Sequence, residues 1–196
     1  MTNLLTMLRR PLHRFLRDEK ASVIAEAVIV LPLFLWAYIA LFVYWDAFRS
    51  MNTVQKATYT VSDMISRERK GIDSTYIDGM KKVMQYLVDK DQDVKMRVTS
   101  VAWNDTDKKF EVHWSRSPDN SMPALTTETL QDYVGHIPTM APGDYVVVVE
   151  VAVDYVPSFD IGLPDQTFRQ FIVTRPRFLP CIALDNISCP VPGASS

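Results

Sequence analysis

Cysteine, histidine and glycine are scarce in this sequence of 196 residues, which has two, three and six of them. Two cysteines exclude a disulfide-dense miniprotein, and scattered histidines without a C-x-x-C motif predict no metal site. The sequence contains no phosphate-cradling glycine loop, no G-x-S-x-G and no H-E-x-x-H. We therefore expect the chain not to be an enzyme and to need no cofactor.

An excess of one charge is also lacking. Lysine and arginine number 21 against 23 aspartates and glutamates, for a formal net charge of -2. A dedicated nucleic-acid binder is strongly basic, so we expect no nucleic-acid partner. Hydrophobic residues make up 47% of the chain, which excludes a multi-span membrane protein.

One long apolar run is present, and it covers Ala27 to Trp45 without a single charge over 19 residues. As a helix this run would span roughly 28 Å, close to the hydrocarbon core of a bilayer, which is about 30 Å thick. A buried core helix is the alternative, but core helices are rarely apolar on all sides and are usually shorter. The run therefore predicts one transmembrane span.

The charges before the run predict its orientation. Residues 1–20 contain five basic and two acidic side chains, whereas a mild acidic excess follows the run. By the positive-inside tendency, the N-terminus is cytoplasmic and the chain after Trp45 is outside the cytoplasm. A secretory signal is disfavoured because the run exceeds a typical apolar region of roughly 7–15 residues and ends in bulky side chains. The sequence favours a membrane anchor.

Residues 15–35 read FLRDEKASVIAEAVIVLPLFL, a basic leader that ends in Ala21, followed by Glu26 and an apolar helix containing Leu31-Pro32. This arrangement resembles the type IV pilin class. More specifically it is similar to the TadE-like minor pilins, or pseudopilins, of tight-adherence (Tad/Flp) pili, whose pattern is R-D-E-x-G-[SA]-x-x-x-E-x-A-L-x-L-P. Here Ala21 stands where the family usually has glycine, and Ala27 stands where an aromatic residue often follows the glutamate.

The resemblance implies a function and a set of partners. A prepilin peptidase would cut between Ala21 and Ser22, so that Glu26 becomes the fifth residue of the mature chain. The protein would lie in the bacterial inner membrane with a periplasmic domain, and would act in a pilus initiation or tip complex. Its partners would be other minor and major pilins and the pilus assembly platform. Two later stretches, Gly143–Pro157 and Val173–Arg177, also look similar to the family.

The physical logic of Glu26 and Pro32 can be stated without the family. A chain that begins at Ser22 has a free α-amino group, which a carboxylate one turn away or on a neighbouring subunit can pair with. Such a pair would set the axial register between stacked helices. Pro32 removes a backbone donor and predicts a kink near residues 28–32, although an ordinary transmembrane proline kink is equally compatible with it.

The chain after the apolar run predicts an α+β domain. An apolar stripe over residues 46–70 continues the first helix, and a second helix is predicted over Ser74–Asp89 with Ser74 as its N-cap. We prefer packing of the stripe on its own domain to packing on a partner helix. A hairpin and two further strands follow, which together make a small antiparallel sheet of pilin-like type. In the hairpin, Phe110, Val112 and Trp114 are predicted to share a face; in the strongest strand, the residues predicted to do so are Tyr145, Val147, Val149, Val151, Val153 and Tyr155.

The predicted organisation has four parts. They are a basic leader (1–21), a transmembrane helix (22–45), its extracytoplasmic extension (46–70) and a periplasmic α+β domain with a proline-rich tail (71–196). In that tail Cys181 and Cys189 lie on the oxidising side of the membrane, which predicts a disulfide. Two other functions stay open, a signal-anchored periplasmic adaptor or sensor outside any pilus, and an anchored enzyme.

Overall fold

The computed structural model describes residues 19–88 and 92–189, so residues 1–18 of the predicted leader lie outside the described residues. The order of elements confirms the predicted α+β class, because a long apolar N-terminal helix precedes a small four-stranded antiparallel sheet. The helices are α1 (Glu19–Ser66), α2 (Ser74–Val88) and α3 (Thr127–Leu130), and the strands are β1 (Val94–Asn104), β2 (Lys109–Arg116), β3 (Tyr145–Tyr155) and β4 (Gln166–Thr174).

The described chain divides into two compact units. The first contains α1 as far as Asp46 together with the loop residues Ser158–Leu163. The second contains Ala47–Pro157 and the chain from Pro164 onward, and it holds the hydrophobic core.

The second half of α1 packs through one face, as the sequence predicts. Val54, Val61 and Ile65 are fully buried and join α2 and the sheet in a single core. Ser62 lies off the predicted stripe but is buried as well, and its hydroxyl hydrogen-bonds with that of Thr174 in β4. The preferred interpretation, a stripe that packs on its own domain, is confirmed for these residues.

The sheet has the strand order β2-β1-β3-β4, with every neighbouring pair antiparallel. On β3 the valines alternate between two cores, as the two-residue period of a strand requires. Val147, Val149, Val151 and Val153 face the core that contains α1 and α2. Val146 and Val148 face a second core, which the segment between β2 and β3 closes with Leu125, Leu130 and Met140.

The predicted common face of Phe110, Val112 and Trp114 is wrong. The pairing of β1 with β2 shifts between Ser100 and Val101, so that His113 is an extra residue in the ladder. A bulge of this kind reverses the alternation of side chains beyond it. Phe110 and Val112 consequently pack in the second core, while Trp114 packs in the core that contains α1 and α2.

The predicted N-cap of α2 also needs correction. Ser74 is already helical, and the backbone N–H of Tyr76 is bonded at 2.7 Å to a carboxylate oxygen of Asp73, which is the cap. The carboxylate of Asp185 accepts bonds from the backbone N–H and the hydroxyl of Ser74. These bonds lower the pKa of Asp185, because they stabilise its charged form. The distant aspartate could not be identified from local spacing.

A buried ion pair joins the two central strands. Arg97 and Glu150 face each other across β1 and β3, and both are more than nine-tenths buried. The guanidinium Nε donates to the carboxylate at 2.8 Å. Removal of one partner leaves the other charge buried without compensation, which is far costlier than the loss of an exposed pair.

We predict that Glu150→Ala destabilises the protein by about 3–5 kcal/mol. The double replacement Arg97→Met with Glu150→Leu should restore most of this loss, since no charge is then stranded. Asp154→Ala is the matched control, because it removes the half-exposed partner of Lys95 on the same two strands and should cost much less. Urea unfolding of the full chain in detergent measures all three, and equal losses for Glu150→Ala and Asp154→Ala would contradict the prediction.

Candidate functional site

The first half of α1 exposes most of its large apolar side chains, although Val43 near its end is buried. Ile29 and Tyr38 are 74% and 71% exposed, and most of the other large side chains from Val23 to Trp45 are also more than half exposed. Among the described residues, one helix is long and apolar enough to cross a membrane, and only 6% of its most apolar window is buried. This apolar window of the helix is therefore not buried in a core. Its length and surface are consistent with a membrane anchor near the N-terminus.

The sequence-predicted assembly residues lie along this one helix. The Ala21–Ser22 bond falls in its first turns, and the helix continues through Pro32. Glu26 is exposed, and none of the described side chains hydrogen-bonds or forms an ion pair with it. Glu26 and Pro32 are six positions apart, so they point about 120° apart around the axis and do not share a face. The kink itself stays a prediction.

Aromatic rings mark the end of the apolar run. Tyr44 and Trp45, the last two residues of the run, are both at least half exposed. The ring of Phe42 lies 6.2 Å from that of Trp45 and 6.4 Å from that of Phe159, which it meets edge to face at 73°. Phe159 belongs to the loop between β3 and β4, so a residue far along the chain joins the apolar end of the helix.

The two cysteines lie at disulfide distance. The Cα atoms of Cys181 and Cys189 are 5.9 Å apart, and Cys181 is almost fully buried. In a loop this short, the chain-entropy model gives a stabilisation of about 2–3 kcal/mol. The pair thus closes a short covalent loop within the proline-rich tail.

His113 lies beside this disulfide, which the sequence did not predict. A ring nitrogen of His113 and the two sulfur atoms lie within 4.8 Å of one another. Sulfur atoms joined in a disulfide are not thiolates, so the group is no zinc site in this state. The Nε2 atom is buried with no hydrogen-bond partner, and burial lowers the pKa of His113. The bulge that brings His113 here has no local sequence signal.

Hydrogen bonds to backbone groups attach the tail to the domain on both sides of Cys181. The indole of Trp114 donates to the carbonyl of Ile182 at 2.8 Å, and the backbone N–H of Ile72 donates to Ala183 at 2.9 Å. Upstream, the backbone N–H of Arg177 donates to the Ser66 carbonyl at 2.8 Å, which satisfies an acceptor at the end of α1. The segment is therefore a structural part of the domain.

A cavity of about 160 Å³ lies on the face of the sheet opposite α1 and α2. Its walls carry Tyr133 and Phe171, whose rings stack in parallel with centroids 5.4 Å apart. The nearest carboxylate, Glu150, is already paired with Arg97. The lining contains no serine, cysteine, threonine or lysine beside a base, so these residues form no nucleophilic constellation. Its other lining residues include Met122, His136 and Arg169.

Comparisons of the chain with protein-family models, with curated proteins and with solved structures found no match. The family resemblance of the N-terminal segment therefore enters below as a proposal.

We predict that His113 makes the protein less stable in mild acid. Its folded pKa lies below the ordinary value of 6.5, so only the unfolded chain gains the proton when the pH first falls through 6.5. Stability is thus lost from that point down to the folded pKa. The ring of His113 lies 5.6 Å from that of Tyr145. His113→Phe keeps a ring there and removes the titration, so it should lose less stability than the parent between about pH 7.5 and about pH 5. Urea unfolding midpoints measure this difference, and parallel curves would refute it.

Proposed function

We propose that this chain is a TadE-like minor pilin of a bacterial tight-adherence type IV pilus. It is anchored in the inner membrane by α1, with the α+β domain in the periplasm, and acts in a pilus initiation or tip complex. The observation that carries the proposal is the N-terminal arrangement, in which a basic leader ends at Ala21 and Glu26 precedes an apolar stretch of α1 whose large side chains are mostly exposed. A fibre subunit needs one helix that is stable in two environments, first in lipid and then in a bundle of helices.

The exposed surface of α1 supports a role in which the helix changes surroundings. Each large apolar side chain left in water costs about 1.5–3 kcal/mol relative to burial, so the residues from Val23 to Trp45 require an apolar environment. Lipid satisfies that requirement during insertion, and neighbouring helices satisfy it in a fibre. A span that is apolar all round fits both environments.

Glu26 supplies the position-specific part of the mechanism. A carboxylate at the centre of a span costs about 2.5–3.5 kcal/mol, and less toward the interface. After cleavage, the new amino group of Ser22 on one subunit would pair with Glu26 of the next, which offsets the cost of both charges. Because the pair forms at one axial stagger, it would determine how the helices stack.

The basic leader would control when the subunit leaves the membrane. Its five basic side chains hold the N-terminus at the anionic cytoplasmic surface and oppose extraction of the helix. A peptidase at that interface could reach the Ala21–Ser22 bond. Cleavage would leave the helix attached through apolar contacts alone, and a growing fibre could then extract it.

We predict that Glu26→Ala abolishes surface pili while the protein still inserts in the membrane. Glu26→Gln should fail in the same way, because an amide keeps the shape and loses the charge. Asp165→Ala, which removes an exposed carboxylate of the domain, is the control and should leave piliation intact. Electron microscopy and membrane fractionation measure both properties. Normal pili in the Glu26 variants would favour the anchored adaptor or sensor.

We predict that the mature chain begins at Ser22 in cells that possess the peptidase. Ala21→Gly restores the usual family residue and should increase the cleaved fraction, whereas Ala21→Lys should block cleavage. N-terminal sequencing of membrane-extracted protein distinguishes these outcomes. A chain that keeps its leader in both the parent and the glycine variant would leave a plain signal-anchored protein.

The topology prediction follows from the charge asymmetry. A reporter that is active only outside the cytoplasm should be active when it is fused after residue 70, and inactive when it is fused to the N-terminus. Replacement of the leader's basic residues by glutamine should reduce the active fraction of the first fusion. An inactive fusion at normal expression would show the inverse orientation and overturn the proposed function.

A further inference from the structure

The loop between β3 and β4 belongs with the apolar helix and not with the sheet that it connects. Residues Ser158–Leu163 form one compact unit with α1 as far as Asp46. The loop reads SFDIGL, with three large apolar side chains and a single charge, Asp160. At Gly162 the backbone turns through a positive φ of 94°, which a side chain would disfavour. The chain thus reverses direction in this loop, between the antiparallel strands β3 and β4.

Phe159 shows at which position along the axis of α1 the loop contacts the helix. Its ring contacts that of Phe42, which lies three residues, or about 4.5 Å along the axis, before the last residue of the apolar run. Half of the Phe159 side chain nevertheless stays exposed, at 49%. The contact with α1 leaves this apolar surface uncovered, next to a helix segment that is itself uncovered.

We propose that the loop Ser158–Leu163 inserts into the extracytoplasmic lipid interface as a second membrane contact of this chain. The inference rests on the proposed anchoring of α1, since the lipid that surrounds Phe42 is continuous with the surroundings of Phe159. Aromatic side chains concentrate at this depth, where the ring meets acyl chains and polar groups stay hydrated.

The composition of the loop fits the interface and no deeper layer. An irregular backbone cannot enter the hydrocarbon region, because its N–H and C=O groups would lose water without gaining partners. Insertion of about 5–10 Å, into the boundary between headgroups and acyl chains, leaves the backbone hydrated. Phe159 and Ile161 would contact acyl chains at that depth, and Asp160 would remain among the headgroups.

Fluorescence quenching in vesicles tests the insertion. The full chain contains two cysteines, and they are joined to each other, so Phe159→Cys adds one reactive thiol to the oxidised protein. An environment-sensitive dye on that thiol is measured in vesicles of three parts phosphatidylethanolamine to one part phosphatidylglycerol. The vesicles carry a spin label either near the headgroup or deep in the acyl chain.

Two further positions make the result interpretable. Leu35→Cys lies within the apolar run and reports whether α1 itself enters lipid. Asp107→Cys lies in the turn between β1 and β2, which is at the opposite end of the sheet from Tyr155, because β1 and β3 are antiparallel. Retention of the Cys181–Cys189 disulfide in every labelled protein verifies the fold.

We expect the dye at position 159 to lose fluorescence mainly to the shallow label, the dye at 35 to lose it to the deep label, and the dye at 107 to lose it to neither. Quenching at 35 without quenching at 159 would overturn the loop contact and leave the anchor intact. Absence of quenching at 35 would overturn the anchor and the proposed function with it. Shielding of position 159 from water without quenching by either label would mean that a second copy covers the loop, and would also overturn the lipid contact.

Discussion

The apolar surface of α1 is the constraint on which the rest of the structure depends. A helix of 48 residues presents two different surfaces along its length. Up to Trp45 most large apolar side chains are exposed, and beyond Asp46 a single stripe is buried against the sheet. The first pattern requires an apolar solvent and the second requires a partner surface within the chain, so one helix has to satisfy two environments.

The domain provides the partner surface through its central strands. β1 and β3 have neighbours on both sides and cores on both faces, which explains why eleven-residue strands can be buried almost throughout. The one buried ion pair of the described salt bridges joins these two strands. Because Arg97 and Glu150 lie directly opposite, their cost of desolvation is offset by charge-assisted bonds, and any other register would separate them.

The candidate assembly residues and the cavity of the domain belong to different compact units of the chain. Glu26 and Pro32 are exposed on the first half of α1, while the cavity in the domain is lined by residues that form no nucleophilic constellation. The disulfide and the bonds from Ile72 and Trp114 attach the tail to the domain. These contacts fix the position of the tail on the domain, and the proposed assembly role would need a domain of fixed shape.

The sequence by itself determined the apolar run, the stripe on the second half of α1, the strands and the α+β class, because each follows from a local period or from composition. It also placed Cys181 and Cys189 close enough in the chain to pair. Only the tertiary structure decided the bulge at His113, the hydrogen bonds between Ser74 and Asp185, and the contact of Phe159 with Phe42. These depend on residues far apart in the chain, whose meeting is decided by strand register and by the return of loops, and neither leaves a periodic signal.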